Sequence, residues 1–367
     1  MSRKHQAVLV GIVGVLFSTY VAVGLLTGND GDPTFFIKFP EEDAQLLDYG
    51  EKWLGDVTPA PKLGHDGKFF FMQAMDPLYL APDEHAYLLD RPRYRAQRML
   101  YPLVASGFGL FGPDTIAWSL LIVNLIAVGL GTWVVALVAL ELGLTPWLGL
   151  GFLLNPGIIA STMIDSAEVL ATAALFAAIL FALRDQFAWS AVWLSFAALS
   201  RETMLLGAVG LIAYLWFKKR KVPLYMAAPF LAVATWWAYL RIRIPDTRVQ
   251  DTQAIGVPLK GFVEAMVVWL TEPDHLANLL IGSLLFVTAI MIAYRAVANP
   301  SLIAYMTAGF ALIAVLMVER VWEHYFDAAR ILSPVLTAYL LITAAAVKAV
   351  EKKNQPSVTT SGLPPGA

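Results

Sequence analysis

Residues 64–102 read GHDGKFFFMQAMDPLYLAPDEHAYLLDRPRYRAQRMLYP, and this polar, aromatic stretch interrupts a chain that is otherwise mostly apolar. One apolar run precedes it, at residues 7–26, and many more follow it. The stretch combines carboxylates, arginines and aromatic rings in one segment. Charge near membrane depth is costly and usually marks function, so we expect this segment to carry chemistry.

The composition predicts an integral membrane protein. Of 367 residues, 58% are hydrophobic and 15% are charged, whereas soluble domains are about one quarter charged. One polytopic domain over residues 1–353 is the simplest architecture. The chain has no cysteine, and its five histidines show no zinc-binding spacing, so a divalent metal ion is possible but not indicated. The net charge of −2 says nothing about partners, and no nucleic-acid binding is predicted.

The apolar runs predict an all-α polytopic protein with about ten membrane-spanning helices. Residues 7–26 form the first, an uncleaved signal helix whose preceding Arg3 and Lys4 place the N-terminus in the cytoplasm. Residues 27–98 then form a large extracytoplasmic loop with an amphipathic helix at residues 43–54. Residues 99–113 are too short for a span and predict an interfacial or re-entrant helix. Further spans are predicted at residues 115–140, 143–163, 167–183, 187–200, 203–217, 222–240, 277–294, 299–318 and 331–349.

The basic run KKRK at residues 218–221 tests this count. Ten spans place it in the cytoplasm, as the positive-inside rule requires, and a full span at residues 99–113 would place it outside. The polar, Pro/Gly-rich residues 354–367 predict a disordered cytoplasmic tail. The prediction is therefore a multi-pass protein of the cell membrane with both termini in the cytoplasm.

Asp66, in the long outer loop, is the predicted centre of the site. Three further polar clusters are predicted on the same face as this loop. Asp66 lies in the sequence HDGK, ahead of three phenylalanines, with His65 and Lys68 as candidate substrate-binding neighbours. An Asp-Gly pair is also a common turn. A carboxylate beside aromatic rings is suited to act as general base on a sugar hydroxyl. Asp30 and Asp32, close to the end of the first span, are the alternative bases, and the aromatic and arginine context favours Asp66.

Arginines follow Asp66 at positions suited to anion binding. Arg93, Arg95 and Arg98, together with Gln97, precede the apolar residues 99–113, and Arg330 lies before the last span. Arginine makes bidentate, charge-assisted bonds to phosphate oxygens, so phosphate binding is predicted here. Snorkelling of these side chains to the membrane interface is the alternative interpretation.

The other polar clusters hold two candidate pairs. Asp165 and Glu168 are spaced so that a helix would put both on one face. The alternative interpretation is structural, because acidic residues favour the first turn of a helix. Arg201 and Glu202 form a short polar hairpin between two spans, either as a surface ion pair or as a buried functional group.

These motifs resemble a known superfamily. GHDGKFFFMQAMDP followed by YRAQRMLYPLVA is similar to the HDG/YDG and RxQRxLYP pattern of bacterial cell-surface glycopolymer proteins in the GT-C superfamily of polytopic glycosyltransferases. Asn155-Pro156, the residues 165–168 and the later Arg201 are similar to segments of the glycosylphosphatidylinositol mannosyltransferases. The resemblance covers about half of the chain in scattered pieces, and His65 stands where those mannosyltransferases carry Trp.

The resemblance implies a sugar donor linked to polyprenyl phosphate, carrying mannose or a related pentose. The acceptor would be a cell-envelope glycan or glycolipid, and the reaction would be inverting and independent of a metal. Asp66 would deprotonate the acceptor hydroxyl, arginines would neutralise the departing phosphate, and Asp165 or Glu168 would position sugar hydroxyls.

Two rival functions are weighed against this one. A transporter or flippase of a lipid-linked sugar explains the spans, and a scaffold for envelope assembly needs no site at all. An enzyme needs Asp66, Asp165, Glu168, Arg201 and Arg330 to line one cavity on the outer face. A transporter needs a pathway that continues to the cytoplasm.

Overall fold

The computed structural model describes residues 2–62, 64–244 and 255–354, and these residues form helices joined by turns. Among them, extended pairing is limited to two isolated β-bridges, Pro40 with Ala60 and Ile255 with Met317. The predicted all-α class is confirmed.

The first helix, α1 (Arg3–Thr27), covers the predicted first span, and the Ser2 hydroxyl caps its N-terminus. The outer loop that follows folds into five short helices. They are α2 (Thr34–Ile37), α3 (Ala44–Leu54), α4 (Gly67–Met75), α5 (Pro82–His85) and α6 (Pro92–Arg95). The predicted amphipathic helix is α3, which Asp43 caps and which turns Leu46 and Tyr49 inward.

An aromatic core holds the short helices of the outer loop together. Phe39 and Tyr49 both pack edge-on against Phe71, with ring centroids 5.9 and 6.5 Å apart. Phe70 packs in the same manner against Tyr101 of the next helix, at 5.2 Å. Burial of each phenylalanine contributes about 1.5–3 kcal/mol. The polar loop is therefore a folded unit that is attached to the helical bundle.

The remaining helices form that bundle. In chain order they are α7 (Leu100–Phe108), α8 (Pro113–Glu141), α9 (Leu150–Leu153), α10 (Pro156–Thr162), α11 (Glu168–Leu183), α12 (Phe187–Ser200), α13 (Leu205–Tyr214), α14 (Ala228–Arg243), α15 (Lys260–Thr271), α16 (Leu276–Ala298), α17 (Leu302–Leu316), α18 (Glu319–Trp322), α19 (Tyr325–Ile331) and α20 (Ser333–Asn354). Single 3-10 turns lie at Pro146–Gly149, Glu202–Met204, Leu224–Ala227 and Pro273–His275. A π-helical turn, Leu215–Lys219, extends α13 into the KKRK run.

Among the described residues, four helices, α1, α8, α16 and α20, are long and apolar enough to cross a membrane. Three shorter apolar helices, α11, α12 and α17, accompany them. The composition and these helices indicate a membrane protein, and the count of ten spans stays a prediction. The predicted interfacial helix at residues 99–113 is α7, which is nine residues long.

The predicted span at residues 143–163 is not one helix. It is broken into the Pro146–Gly149 turn, α9 and α10. The break before α10 has two local causes: Pro156 has no backbone N–H to donate, and the Asn155 side chain accepts the Gly157 N–H at 2.9 Å. An asparagine that caps a new helix ends the preceding one.

Small residues let the central helices approach closely. The alanine-rich α11 is almost wholly buried. Where α1 packs on α8, a Cβ atom added to Gly11 or Gly14 would lie 2.7 Å from Trp133 or 2.8 Å from Thr132. Small residues are enriched at helix interfaces in membranes because they permit this approach.

The start of the first helix and the last two turns of the final helix contact the same turn of the chain. The Arg3 guanidinium donates to the Leu144 carbonyl at 2.8 Å, and the Lys348 ammonium donates to the neighbouring Gly143 carbonyl. Both contacts lie in the turn that follows α8. The last helix ends at Asn354, so the predicted disordered tail lies outside the described residues beyond that point.

Candidate active site

A cavity of about 570 Å³ lies between the outer loop and the adjoining ends of the bundle helices. Seven lysine or arginine and five aspartate or glutamate side chains line it, an excess of two positive charges. This excess in a partly enclosed cavity favours an anionic ligand. The charged lining residues are Asp43, Asp66, Lys68, Asp90, Arg91, Arg95, Arg98, Glu168, Arg201, Arg320, Asp327 and Arg330.

Close backbone contacts place Asp66 in this wall. It directly precedes α4, whose first residue, Gly67, lies against the backbones of α2 and of the α10–α11 connection. A Cβ atom on Gly67 would lie 2.6 Å from the Ile37 carbonyl oxygen and 2.7 Å from that of Ile164. The Asp66 side chain makes no capping bond to α4, so the carboxylate is available to the cavity.

Two arginines hold the Asp66 carboxylate. Arg95 Nη1 donates to Oδ1 at 2.7 Å, and Arg330 Nη2 donates to Oδ2 at 2.6 Å. Burial alone raises the pKa of Asp66, but the charges of Arg95, Arg330 and Arg98 outweigh burial and hold this pKa well below its usual value. Asp66 is therefore an ionised carboxylate in the ligand-free protein.

Each of these arginines is tethered by further carboxylates. The Nε and Nη2 atoms of Arg95 bond both oxygens of Asp90, at 2.8 and 3.0 Å. Arg330 donates to Asp327 and to Glu168, both at 3.1 Å, and its pKa is raised by these anionic neighbours against the opposing effect of burial. Both guanidinium groups are thus fixed independently of Asp66.

A second charged layer lies around Glu168, which is fully buried at the start of α11. Its carboxylate accepts from Arg201, from Arg330 and from the Ser166 hydroxyl. The Nε atoms of Arg201 and Arg330 are buried and have no hydrogen-bond partner among the described residues. Unpaired buried N–H groups are costly and are uncommon in folded proteins.

Arg201 and Glu202 do not pair with each other as a surface hairpin would. Arg201 bonds Glu168, whereas Glu202 accepts from Nε and Nη2 of Arg98, both at 3.2 Å. Arg98 also donates to the Tyr94 hydroxyl at 2.9 Å. Arg98 is only 3% exposed, so it is a buried group and not a snorkelling side chain.

Lys68 and His65 line the same cavity. Burial lowers the pKa of Lys68 to about 8, with Asp66 acting in the opposite direction. Burial and the nearby Arg330 lower the pKa of His65, whose ring packs edge-on against Phe326 with centroids 5.9 Å apart. A neutral imidazole and an aromatic ring thus lie next to the carboxylate.

The alternative bases lie elsewhere. Asp32 accepts from the backbone N–H and the hydroxyl of Thr34 and from the same two groups of Thr58, and it ties the end of α1 to the loop. Asp30 is exposed in the preceding turn, with a positive φ of 53°. Neither residue lines the cavity.

Two of the predicted anion-binding residues also lie outside the cavity wall. Arg93 Nε donates to the Ile244 carbonyl at 2.9 Å and so connects the loop to the end of α14. Gln97 is half-buried in the turn between α6 and α7 and does not line the cavity.

Asp165 faces away from the cavity, in contrast to the expectation that it shares a helical face with Glu168. It has a positive φ of 45°, and α11 begins only at Glu168. Its fully buried carboxyl lies beside Asn124 of α8, and neither oxygen has a hydrogen-bond partner in the part of the chain that the structure describes. Burial raises the pKa of Asp165 well above its usual value, against the weaker opposing effects of Asn124 and of the Lys38 charge.

Sequence reasoning missed the carboxylates that tether the arginines. Asp327 precedes Arg330 by three residues on α19, a helical spacing that predicts this pair. Asp90 and Arg95 lie on either side of the start of α6 and have no such regular spacing. Within residues 2–62, 64–244 and 255–354, no group of three or more His, Asp or Glu side chains is arranged to hold a metal ion.

Comparisons with protein-family models, with curated proteins and with solved structures found no match to this chain. The resemblance to GT-C glycosyltransferases therefore depends on the motif residues alone. Of the five residues required to line one cavity, Asp66, Glu168, Arg201 and Arg330 do so, and Asp165 does not.

Proposed function

We propose that this protein is a membrane glycosyltransferase of the GT-C type. It would move mannose or a related sugar from a polyprenyl-phosphate donor to a hydroxyl of a cell-envelope glycan or glycolipid on the extracytoplasmic face. The observation that supports this most is the cavity in which an ionised carboxylate, Asp66, lies within hydrogen-bond distance of the buried Arg330 and the half-buried Arg95. A base and a phosphate-binding group are the two functions that glycosyl transfer from a lipid phosphate requires.

The proposed reaction is a single inverting displacement. The acceptor oxygen attacks the anomeric carbon of the sugar from the face opposite to the phosphate, while Asp66 accepts the hydroxyl proton. The bond from the anomeric carbon to the phosphate oxygen breaks, and its electron pair leaves with the lipid phosphate. Arginines of the cavity stabilise the negative charge that develops there.

The other lining residues have supporting roles in this proposal. Glu168, with Arg201 and Arg330 beside it, would position sugar hydroxyls. Asp165 cannot share this role from its buried position behind the cavity wall, so the sequence-based assignment to either residue narrows to Glu168. His65 and Lys68 complete the wall around Asp66.

An apolar groove supports a lipid-linked donor. This groove, of about 630 Å³, is lined by Leu78, Met99, Leu199, Leu231, Ala232, Thr235, Trp236 and Tyr239. Met99 follows the cavity residue Arg98 directly, and Leu199 lies two residues before Arg201. A lipid chain in the groove would hold its phosphate near these arginines.

The position of the cavity favours an enzyme over the alternative transporter or flippase. Its lining comes from the outer loop, the start of α11, Arg201 and residues 318–331. The basic run at residues 218–221, at the predicted cytoplasmic end of α13, contributes no residue to it. In this proposal the protein lies in the cell membrane, with both termini in the cytoplasm and the cavity outside.

The proposed function is tested by sugar transfer with purified, detergent-solubilised protein. The assay supplies polyprenyl-phosphate mannose with a membrane lipid extract as acceptor, and compares wild type, Asp66→Asn and Asp30→Asn. We expect transfer by wild type and by Asp30→Asn, and a loss of about 10²–10⁴-fold in Asp66→Asn, the usual contribution of a general base. Loss of transfer in the Asp30 variant alone would assign the general base to Asp30 instead of Asp66. No transfer by wild type with any lipid-linked sugar would favour the transporter.

A further inference from the structure

The Asp66 carboxylate has the geometry of a bound anion. Each of its oxygens accepts from a different guanidinium, at 2.7 Å from Arg95 and at 2.6 Å from Arg330. Phosphate oxygens accept the same charge-assisted bonds from arginine that a carboxylate accepts. The two groups therefore compete for the same donors.

We propose that Asp66 is an internal stand-in for the donor phosphate: it occupies the Arg95–Arg330 subsite in the ligand-free protein and is displaced when the phosphate binds. This inference rests on the proposed function, because it assigns the phosphate of that donor to these two arginines. It differs from a fixed Asp66–arginine pair, in which the carboxylate would remain bound throughout the reaction.

The tethers of the arginines favour displacement of Asp66 over disruption of the subsite. Asp90 holds Arg95 through two bonds, and Asp327 and Glu168 hold Arg330, so neither guanidinium depends on Asp66 for its position. The Asp66 side chain has no bond to the N-terminus of α4, and 22% of its surface is exposed. Its side chain is thus the mobile partner.

The donor phosphate fits the same two guanidinium groups. A phosphodiester has two free oxygens that share one negative charge, as a carboxylate has, and each can accept from one arginine, as the Asp66 oxygens do from Arg95 Nη1 and Arg330 Nη2. Charge-assisted bonds from arginine suit phosphate and carboxylate alike, so a bound phosphate can replace Asp66 at these donors.

Displacement of Asp66 would make its strength as a base depend on donor binding. While Asp66 is paired with two arginines, it is a weak proton acceptor, because its charge is already compensated. Once the phosphate shares those arginines, the carboxylate is released towards the acceptor and its affinity for a proton rises. Donor binding therefore precedes acceptor deprotonation, and an empty site does not activate an acceptor.

The test is equilibrium binding of an isoprenyl methyl phosphodiester, a probe with one negative charge and no transferable sugar. Titration calorimetry in detergent compares wild type with Asp66→Asn, and with Asp66→Ala as a second variant should the first fail to fold. We expect either variant to bind the probe roughly tenfold more tightly than wild type, because the internal competitor is gone. Arg330→Gln is expected to weaken binding by a similar factor.

Two controls separate competition from a general loss of negative charge. Asp43 lines the same cavity, but its carboxylate accepts the Leu46 N–H at the start of α3, a role that asparagine fills equally well. Asp43→Asn should therefore change the dissociation constant by less than about threefold. Asp185 pairs with Lys219 on the exposed surface, and Asp185→Asn should change nothing.

Weaker or unchanged binding in the Asp66 variants, with wild type binding the probe, would overturn the stand-in role and leave the proposed function intact. Equal tightening by Asp43→Asn and Asp66→Asn would overturn it as well. No binding by wild type or by any variant would overturn the phosphate donor, and the stand-in role with it.

Discussion

Asp66 and Asp165 lie on opposite sides of one backbone contact and have opposite electrostatic surroundings. Gly67, next to Asp66, packs against the carbonyl of Ile164, next to Asp165. Asp66 faces a cavity in which two arginines bond its oxygens. Asp165 faces the interior, and among the described residues its oxygens have no hydrogen-bond partner.

The comparison shows that the positions of the arginines, not burial, decide which carboxyl is charged. Burial raises the pKa of both groups, but only the pKa of Asp66 is held well below its usual value, because Arg95 and Arg330 are adjacent. The cavity thus keeps an ionised group available, while the region behind it keeps a neutral one. Four substitutions, two of them with matched controls, test this contrast.

Loss of Arg330 should have the largest effect. Arg330→Gln removes the cation that joins Asp66, Glu168 and Asp327, so Asp66 keeps only Arg95 and the buried Glu168 keeps only Arg201 as an arginine partner. We expect a loss of about 3–5 kcal/mol in the free energy of unfolding, as for other broken buried ion pairs, together with loss of transfer. The measurement is denaturation in detergent micelles followed by tryptophan fluorescence.

Arg184→Gln is the matched control for this variant. Arg184 pairs with Glu141 at 2.8 Å, but both side chains are more than one third exposed, so the expected loss is at most about 1 kcal/mol. Equal destabilisation by the two substitutions would show that the cavity pairs are no more important than a surface pair.

Gly67→Ala should act on the contact between the two regions. The new methyl group would approach the carbonyl oxygens of Ile37 and Ile164 to less than 3 Å, so the start of α4 must shift. We expect a loss of about 1–3 kcal/mol from overpacking, with reduced transfer because Asp66 moves with Gly67. Thermal unfolding and the transfer assay measure both effects.

Gly107→Ala controls for the change of residue type. Gly107 lies in α7, and a Cβ atom there meets no atom within 4 Å. This variant should be slightly more stable than wild type, by about 0.4–1 kcal/mol, because alanine restricts the unfolded chain. Wild-type stability in Gly67→Ala would contradict the close approach of these backbones.

Asp165→Asn should have the smallest effect, and its sign should depend on pH. The pKa of Asp165 is raised in the folded protein. The stability that Asp165 contributes is therefore fully present below its pKa in the unfolded chain, and it is lost as pH rises through its pKa in the folded protein. Asparagine is uncharged at every pH. We therefore expect the variant to be more stable than wild type at pH 7, by on the order of 1 kcal/mol, and the gain to vanish in acid.

Asp66→Asn should change the stability at pH 7 in the opposite direction. The lowered pKa of Asp66 contributes stability above the unfolded pKa, and this stability is lost as pH falls through the folded pKa. The Asp66 variant should thus be less stable than wild type at pH 7. Melting temperatures at pH 4 and pH 7 distinguish the two; the same sign for both variants would mean that Asp165 is charged.

The sequence predicted which residues line the cavity better than it predicted which of them form ion pairs with each other. The predicted topology puts Asp66, Arg95, Arg98 and Arg330 on one face, because the first three lie in or at the end of the long loop and Arg330 directly precedes the last span; all four line the cavity. Their carboxylate partners depend on tertiary contacts. Asp90 and Arg95 have no regular spacing, and the Arg98–Glu202 pair joins residues more than 100 positions apart.

Two further differences from the sequence-based prediction have local causes. The positive φ of Asp165 delays the start of α11 to Glu168, so a spacing that predicts one helical face instead separates the two carboxyls. Helix α15 was missed because it is only 12 residues long and includes the charged pair Lys260 and Glu264, which lowers its hydropathy. Neither feature leaves a periodic pattern that hydropathy detects.

Arg3 and Lys348 are both anchored at one turn, that of Gly143 and Leu144. In a membrane, two segments that contact the same turn lie on the same side of the bilayer. We therefore predict an even number of crossings between Arg3 and Lys348, as the predicted ten spans require. Reporters fused to the two ends should then detect the same compartment, and opposite compartments would contradict this shared anchoring.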